Sequence, residues 1–135
     1  MELSERILFV DDDPPLAELT KQLLERLGYQ VTIRTSSIEA LELVRSQPED
    51  FDMVITDMTM PHMTGDRLAL ELKSVRPELP VVICTGYSEK ITEDLLQGGN
   101  IKALILKPII RNELLLSIRS ILDEVQKNED HHPDR

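Results

Sequence analysis

Aromatic residues are nearly missing from this 135-residue chain, which has two Tyr, two Phe and no Trp. Single-strand nucleic acid binders stack bases on aromatic faces, so that mode of binding lacks its platforms here. Cysteine is scarcer still. The one copy, Cys84, lies inside an apolar run, which rules out an internal disulfide and fits a reducing compartment. No apolar run approaches the ~20 residues that span a bilayer, and residues 1–6 carry no secretory pattern. A cytoplasmic protein with no direct membrane contact is expected. Positive charge is also short: 15 Lys and Arg against 25 Asp and Glu leave a net charge of −10. Such a surface repels phosphate backbones, so no direct partnership with nucleic acid is expected. The length is that of one domain, enough for a core without disulfide or metal staples.

What remains is an alternation of apolar runs and helical periods. Ile7–Val10, Val31–Thr35, Met53–Thr56, Val81–Cys84 and Ala103–Leu106 read as strands. Strands one, three, four and five are nearly continuous apolar runs, as expected of strands buried on both faces. The second, VTIRT, is mixed and belongs at a sheet edge. Five helical segments alternate with the strands. The first carries Leu16, Leu19, Leu23, Leu24 and Leu27 on one face, with Pro14 and Pro15 suited to its first turn and Gly28 to its C-terminal cap. The second opens on Ser36-x-x-Glu39, a capping-box pattern. A third starts near Thr64-Gly65 and stops before Pro77. A short fourth runs from about Ser88-Glu89 to Gly98-Gly99, and the last shows Leu114, Ile118, Ile121, Leu122 and Val125 on one face. Five βα units make an open, doubly wound α/β sheet. Residues 1–125 form the domain, and residues 126–135 are a polar tail expected to fray.

The C-terminal ends of the strands carry the chemistry. ILFV delivers Asp11-Asp12-Asp13, MVIT delivers Asp57, VVIC delivers Thr85-Gly86, and ALIL delivers Lys107-Pro108. In a parallel α/β sheet that edge is where ligands bind. Asp11, Asp12 and Asp57 at neighbouring ends would repel one another unless a divalent cation neutralised them. Oxygen donors of this kind suit Mg²⁺ or Mn²⁺, with the backbone carbonyl of Thr59 as a third protein ligand and water completing the shell. The same triplet before proline also suits a helix N-cap, a role that fits Asp13. Lys107 after a buried strand needs a negative partner, and Pro108 is compatible with a bend or a cis peptide. Thr85 can donate its hydroxyl to a phosphoryl oxygen, or close a strand-end turn. Together these groups suit phosphoryl transfer, with Asp57 as the carboxylate that attacks phosphorus.

ILFVDDDPP, DMVITDMTMPHMTGD, VVICTG and LILKPI, in this order and spacing, resemble the receiver domain of two-component response regulators, from about Arg6 to Leu122. The resemblance implies a flavodoxin-like three-layer sandwich, a five-stranded parallel sheet of order 2-1-3-4-5 with five helices. It implies that Asp57 is the phosphoacceptor, Asp12 a direct metal ligand and Asp11 a ligand largely through water. Thr85 becomes the switch hydroxyl, and Lys107 the contact to the phosphoryl group. The implied donor is a histidine kinase or a histidine phosphotransfer protein. The implied output is a protein target that meets the face of the fourth helix, fifth strand and fifth helix, since no effector segment follows Leu122. One position departs from the pattern: the family usually carries an aromatic residue three positions before the lysine, where this chain has Leu104. Tyr87 is a candidate to lie over the site instead. CTGYSEKI and IKALILKPIIRNEL resemble receivers at the C-terminus of hybrid sensor histidine kinases, and a stand-alone regulator fits nearly as well.

Two other functions share these residues. A docking module would use the fold without phosphorylation. An aspartate-nucleophile phosphatase would want a second Asp two positions after its nucleophile; Asp57 has Thr59 there, although Asp11 and Asp13 have the spacing. His62, His131, His132 and the methionines read as loop, tail and filler, and Cys84 as a small core residue.

Overall fold

The structure is a computed structural model that describes residues 5–86, 96 and 99–130, the last four in backbone only. Five parallel strands form one sheet: β1 (Arg6–Val10), β2 (Gln30–Arg34), β3 (Met53–Asp57), β4 (Val81–Thr85) and β5 (Ile101–Leu106). Their order is β2-β1-β3-β4-β5, as the resemblance implies. The described helices are α1 (Pro14–Arg26), α2 (Ser37–Ser46), α3 (Gly65–Val75) and α4 (Arg111–Asp130). The short helix expected between β4 and β5 lies outside the described residues save for Leu96, which is helical, and Tyr87 lies outside them too. Among the described residues no helix is long and apolar enough to cross a membrane.

Two apolar layers hold the sheet. Alternate side chains of β1 divide between them: Ile7 and Phe9 join a cluster with α1 and α4, whereas Leu8 and Val10 join one with α2 and α3. Every residue of β3 and β4 is buried. Fully burying one large aliphatic side chain contributes about 1.5–3 kcal/mol, so these central strands anchor the fold. The expectation of two-sided burial fails for β5. It is the other edge of the sheet, and Lys102 and Leu106 are exposed. An apolar run alone does not distinguish a covered edge strand from a central one.

The helix signals work as written, with one shift of face. Asp13 caps α1, its carboxylate accepting from the Leu16 N–H at 3.2 Å, and Pro14 and Pro15 fill the first turn. Gly28 follows the helix at φ +103°, a left-handed position that favours glycine. Yet the face of α1 laid on the sheet is Ala17, Thr20 and Leu24, so only part of the leucine stripe turns inward: Leu24 is buried and Leu23 half-buried, while Leu16, Leu19 and Leu27 stay exposed. Ser36 caps α2, accepting from the Glu39 N–H at 3.3 Å. The last helix buries Leu114, Ile118, Ile121 and Leu122 as its period requires, and it continues past Gln126 to Asp130.

Candidate functional site

Asp57 is the last residue of β3, buried to 7% exposure, and the chain leaves the sheet immediately after it. The exit is fixed by backbone bonds: the Met58 N–H donates to the Cys84 carbonyl at 2.8 Å, and the Gly65 N–H donates to the Met58 carbonyl at 2.8 Å. The loop between is thus closed at its base onto β4. Gly65 is there for a steric reason. A Cβ at this position would stand 2.3 Å from the Asp57 carbonyl oxygen and 3.0 Å from the Met58 Cα, both backbone atoms. Across the loop, the buried Ser37 hydroxyl of α2 donates to the Met63 carbonyl at 2.8 Å.

β1 brings Asp11 and Asp12 alongside. One carboxylate oxygen from each of Asp11, Asp12 and Asp57 lies within 4.8 Å of the others; Asp11 and Asp57 are buried and Asp12 is exposed. Asp11 is further oriented by the Asp13 N–H, which donates to its carboxylate at 3.0 Å. Burial pushes the Asp11 carboxyl above its ordinary value of 3.8, and the negative charges of Asp57 and Asp12 add to that. The Asp13 N–H and the Lys107 ammonium oppose it. A buried carboxylate whose charge is disfavoured, facing two more, is a site that a hard divalent cation would relieve. The donor set is all oxygen, so these residues fit Mg²⁺ or Mn²⁺ on their chemistry.

On the opposite side, the Lys107 Nζ reaches the Asp57 Oδ1 at 2.8 Å. Burial works to lower the Lys107 pKa, but the hydrogen bond and charge of Asp57 outweigh it, with Asp11 adding, and the net shift is upward. The Lys107 N–H donates to the Thr85 carbonyl at 2.8 Å, and the Lys107–Pro108 peptide is cis. Thr85 is buried at the end of β4, between the ends that carry Asp57 and Lys107. The structure therefore gathers five of the six expected site residues at one sheet edge. The sixth, Thr59, lies exposed in the loop after Asp57. Asp13, the alternative partner of Asp11, is spent as the cap of α1. Two roles were not read from the sequence. Gly65 reads there only as part of a helix start, and Ser37 could have been flagged as a second hydroxyl where one cap suffices.

The model of the response regulator receiver domain family matches residues 7–119. The chain belongs to that family. This receiver domain is 40% identical over 111 residues to the two-component response regulator ARR10 of Arabidopsis thaliana, covering 81% of this chain and 20% of that protein. It spans 16% to 27% of the length of the curated relatives it matches first. Among solved structures it is similar to a CheY-like receiver domain from Methanospirillum hungatei, with TM-score 0.85 and 32% identity over 93% of this chain and 99% of that one. It is also similar to the response regulator TrrA of Thermotoga maritima, solved in complex with Mg²⁺ and BeF, with TM-score 0.74 and 26% identity over 87% and 98%.

Proposed function

We propose that this receiver domain takes a phosphoryl group from a partner's phosphohistidine onto Asp57 and then presents a changed surface to a protein target. The observation that carries the reading is the pairing of Asp57 with Lys107 on one side and with the Asp11–Asp12 carboxylates on the other. An Asp57 carboxylate oxygen forms the new bond to phosphorus. The P–N bond to the donor histidine breaks, and its electron pair stays on the imidazole, which is left neutral or takes up a proton from solvent. A bound Mg²⁺ or Mn²⁺, held by Asp11, Asp12, Asp57 and the Thr59 carbonyl, would supply neutralisation of the incoming charge. Of the acidic pair, Asp12 would bind the ion directly and Asp11 largely through water. Lys107 holds a phosphoryl oxygen, and Thr85 donates its hydroxyl to another. TrrA, solved with Mg²⁺ and BeF, supports the same ion here.

The output is a population shift between two packings, biased by the phosphoryl contacts of Thr85 and Lys107. The face that changes includes β5 and α4, because Lys107 adjoins those elements and Thr85 pairs with β5. Leu104, half-buried on β5 against the α2–α3 side of the core, takes the place of the family's aromatic residue. Coupling therefore runs through apolar packing. The donor is a histidine kinase or histidine phosphotransfer protein in the cytoplasm, and the target is a protein. The receiver unit works in a hybrid sensor kinase or as a stand-alone regulator. Radiolabelled phosphohistidine on a phosphotransfer domain tests the reading. Label should move to this chain and fail to move to Asp57→Asn; transfer to the variant at the wild-type rate would contradict it.

A further inference from the structure

We propose that Ser37, on α2, is a positioning residue for the loop that brings the Thr59 carbonyl to the metal; this rests on the Mg²⁺ reading above. The loop from Met58 to Thr64 is fixed at its base, where Met58 bonds to Cys84 and Gly65 bonds to Met58. Between those ends Thr59, Pro61 and His62 are exposed, and His62 turns the chain at φ +70°. Two contacts with the rest of the fold meet at the middle of the loop. One is the buried Met60 side chain, and the other is the hydroxyl of Ser37, which donates to the Met63 carbonyl at 2.8 Å.

Ser37 is suited to the task by its own fixity. It is 1% exposed, and its helix is anchored by the Ser36 cap and by buried Ala40, Leu41 and Val44. The cap itself uses the Ser36 hydroxyl, so the Ser37 hydroxyl is not needed to start the helix. The same Ser37 oxygen stands 4.0 Å from the Met60 sulfur, so the polar and the apolar hold meet at one point. A carbonyl ligand on a loop must be held within about 0.5 Å of its productive position to bind well. Van der Waals contact at Met60 resists compression but does little against sliding, whereas a directional bond to Met63 fixes the register of the loop. Removing the hydroxyl leaves the Met63 carbonyl without this donor and lets the loop drift, so the ion must order it on binding.

The experiment is a Mg²⁺ titration followed by backbone amide shifts, with hydrogen exchange at the Gly65 amide, on wild type, Ser37→Ala and Ile118→Val. Ile118 is a core residue of α4, in the cluster on the other face of the sheet, and serves as a control for lost stability. Ser37→Ala should weaken Mg²⁺ binding roughly tenfold and speed Gly65 exchange even without the ion, while Ile118→Val leaves the Kd unchanged at a comparable loss of Tm. A Ser37→Ala Kd within about twofold of wild type, beside a wild type that does bind, would overturn the role of Ser37 alone. Equal weakening in Ile118→Val would overturn it too, by making the effect one of global stability. A wild type that shows no Mg²⁺ response would instead overturn the metal reading on which the inference rests.

Discussion

Lys107 and Asp57 are joined by an ion pair of 2.8 Å that reaches across a strand. β3 and β5 are not neighbours; β4 lies between them, so the lysine spans the end of the strand that carries Thr85. The pair is asymmetric, with the Asp57 side chain 8% exposed and that of Lys107 33%. The ammonium is thus the more accessible partner and the carboxylate the more enclosed, which suits the proposed shift of Lys107 from the carboxylate to a phosphoryl oxygen.

Lys107→Ala should leave Mg²⁺ binding intact, because the lysine supplies no ligand and competes for Asp57. Phosphoryl transfer should slow by about 10²-fold, the usual cost of losing one preorganised donor at developing negative charge. Phosphorylation-dependent affinity for a partner should fall as well. Single-turnover transfer from an acyl phosphate, with a parallel Mg²⁺ titration, checks both halves.

Gly65→Ala should destabilise the fold by about 1–3 kcal/mol, the usual range for overpacking. The new Cβ meets the backbone of Asp57 and Met58, which cannot rotate away as a side-chain tip could. Urea unfolding should show a lower midpoint at an unchanged m-value. Relief by moving the Asp57 carbonyl would disturb the phosphoacceptor, so transfer should slow too.

Asp11 sets a pH dependence with a definite sign in metal-free protein. Its folded pKa is raised above the ordinary 3.8, so the folded state binds its proton more tightly than the unfolded state. Stability from this group therefore falls as pH rises from about 3.8 through the folded value, and the penalty persists at pH 7. Asp11→Asn can still accept from the Asp13 N–H and carries no charge. Its Tm in EDTA should exceed that of wild type at pH 7, by a few degrees, with the gap closing toward pH 3.5. A lower Tm for the variant at pH 7 would show that repulsion is not the governing effect.

The main outline of the fold was legible because its signals are local. Asp13, Ser36 and Gly28 mark helix ends through bonds and backbone angles that involve only their near neighbours. The site residues were legible for a related reason: a parallel sheet delivers every strand's C-terminal end to one edge, so reading the residues after each apolar run reads the site. What escaped was tertiary. Which residues of α1 meet the sheet depends on how the helix is rotated against it, and the exposure of Lys102 and Leu106 on β5 depends on what packs against that edge strand. Ser37 and Gly65 escaped because their roles lie in contacts with a loop that sequence spacing does not locate.

Cys84 should be inert in the native protein. Burial pushes its thiol pKa up to about 12, and the negative charge of Asp57 adds to that; the residue is 2% exposed. Alkylation by a maleimide at pH 8 should be slower by at least ~10³-fold than in denaturant, since the thiolate is the nucleophile. Following the mass of the adduct with time gives both rates.

The measurement that bears most directly on the central claim is intact mass after incubation with a small acyl-phosphate donor, with and without Mg²⁺, for wild type and Asp57→Asn. One added phosphoryl group, seen only with the metal and lost in the variant, is the predicted result. Adduct formed equally by Asp57→Asn, or neither adduct nor metal-dependent phosphate release from wild type, would contradict the assignment of Asp57 as the phosphoacceptor.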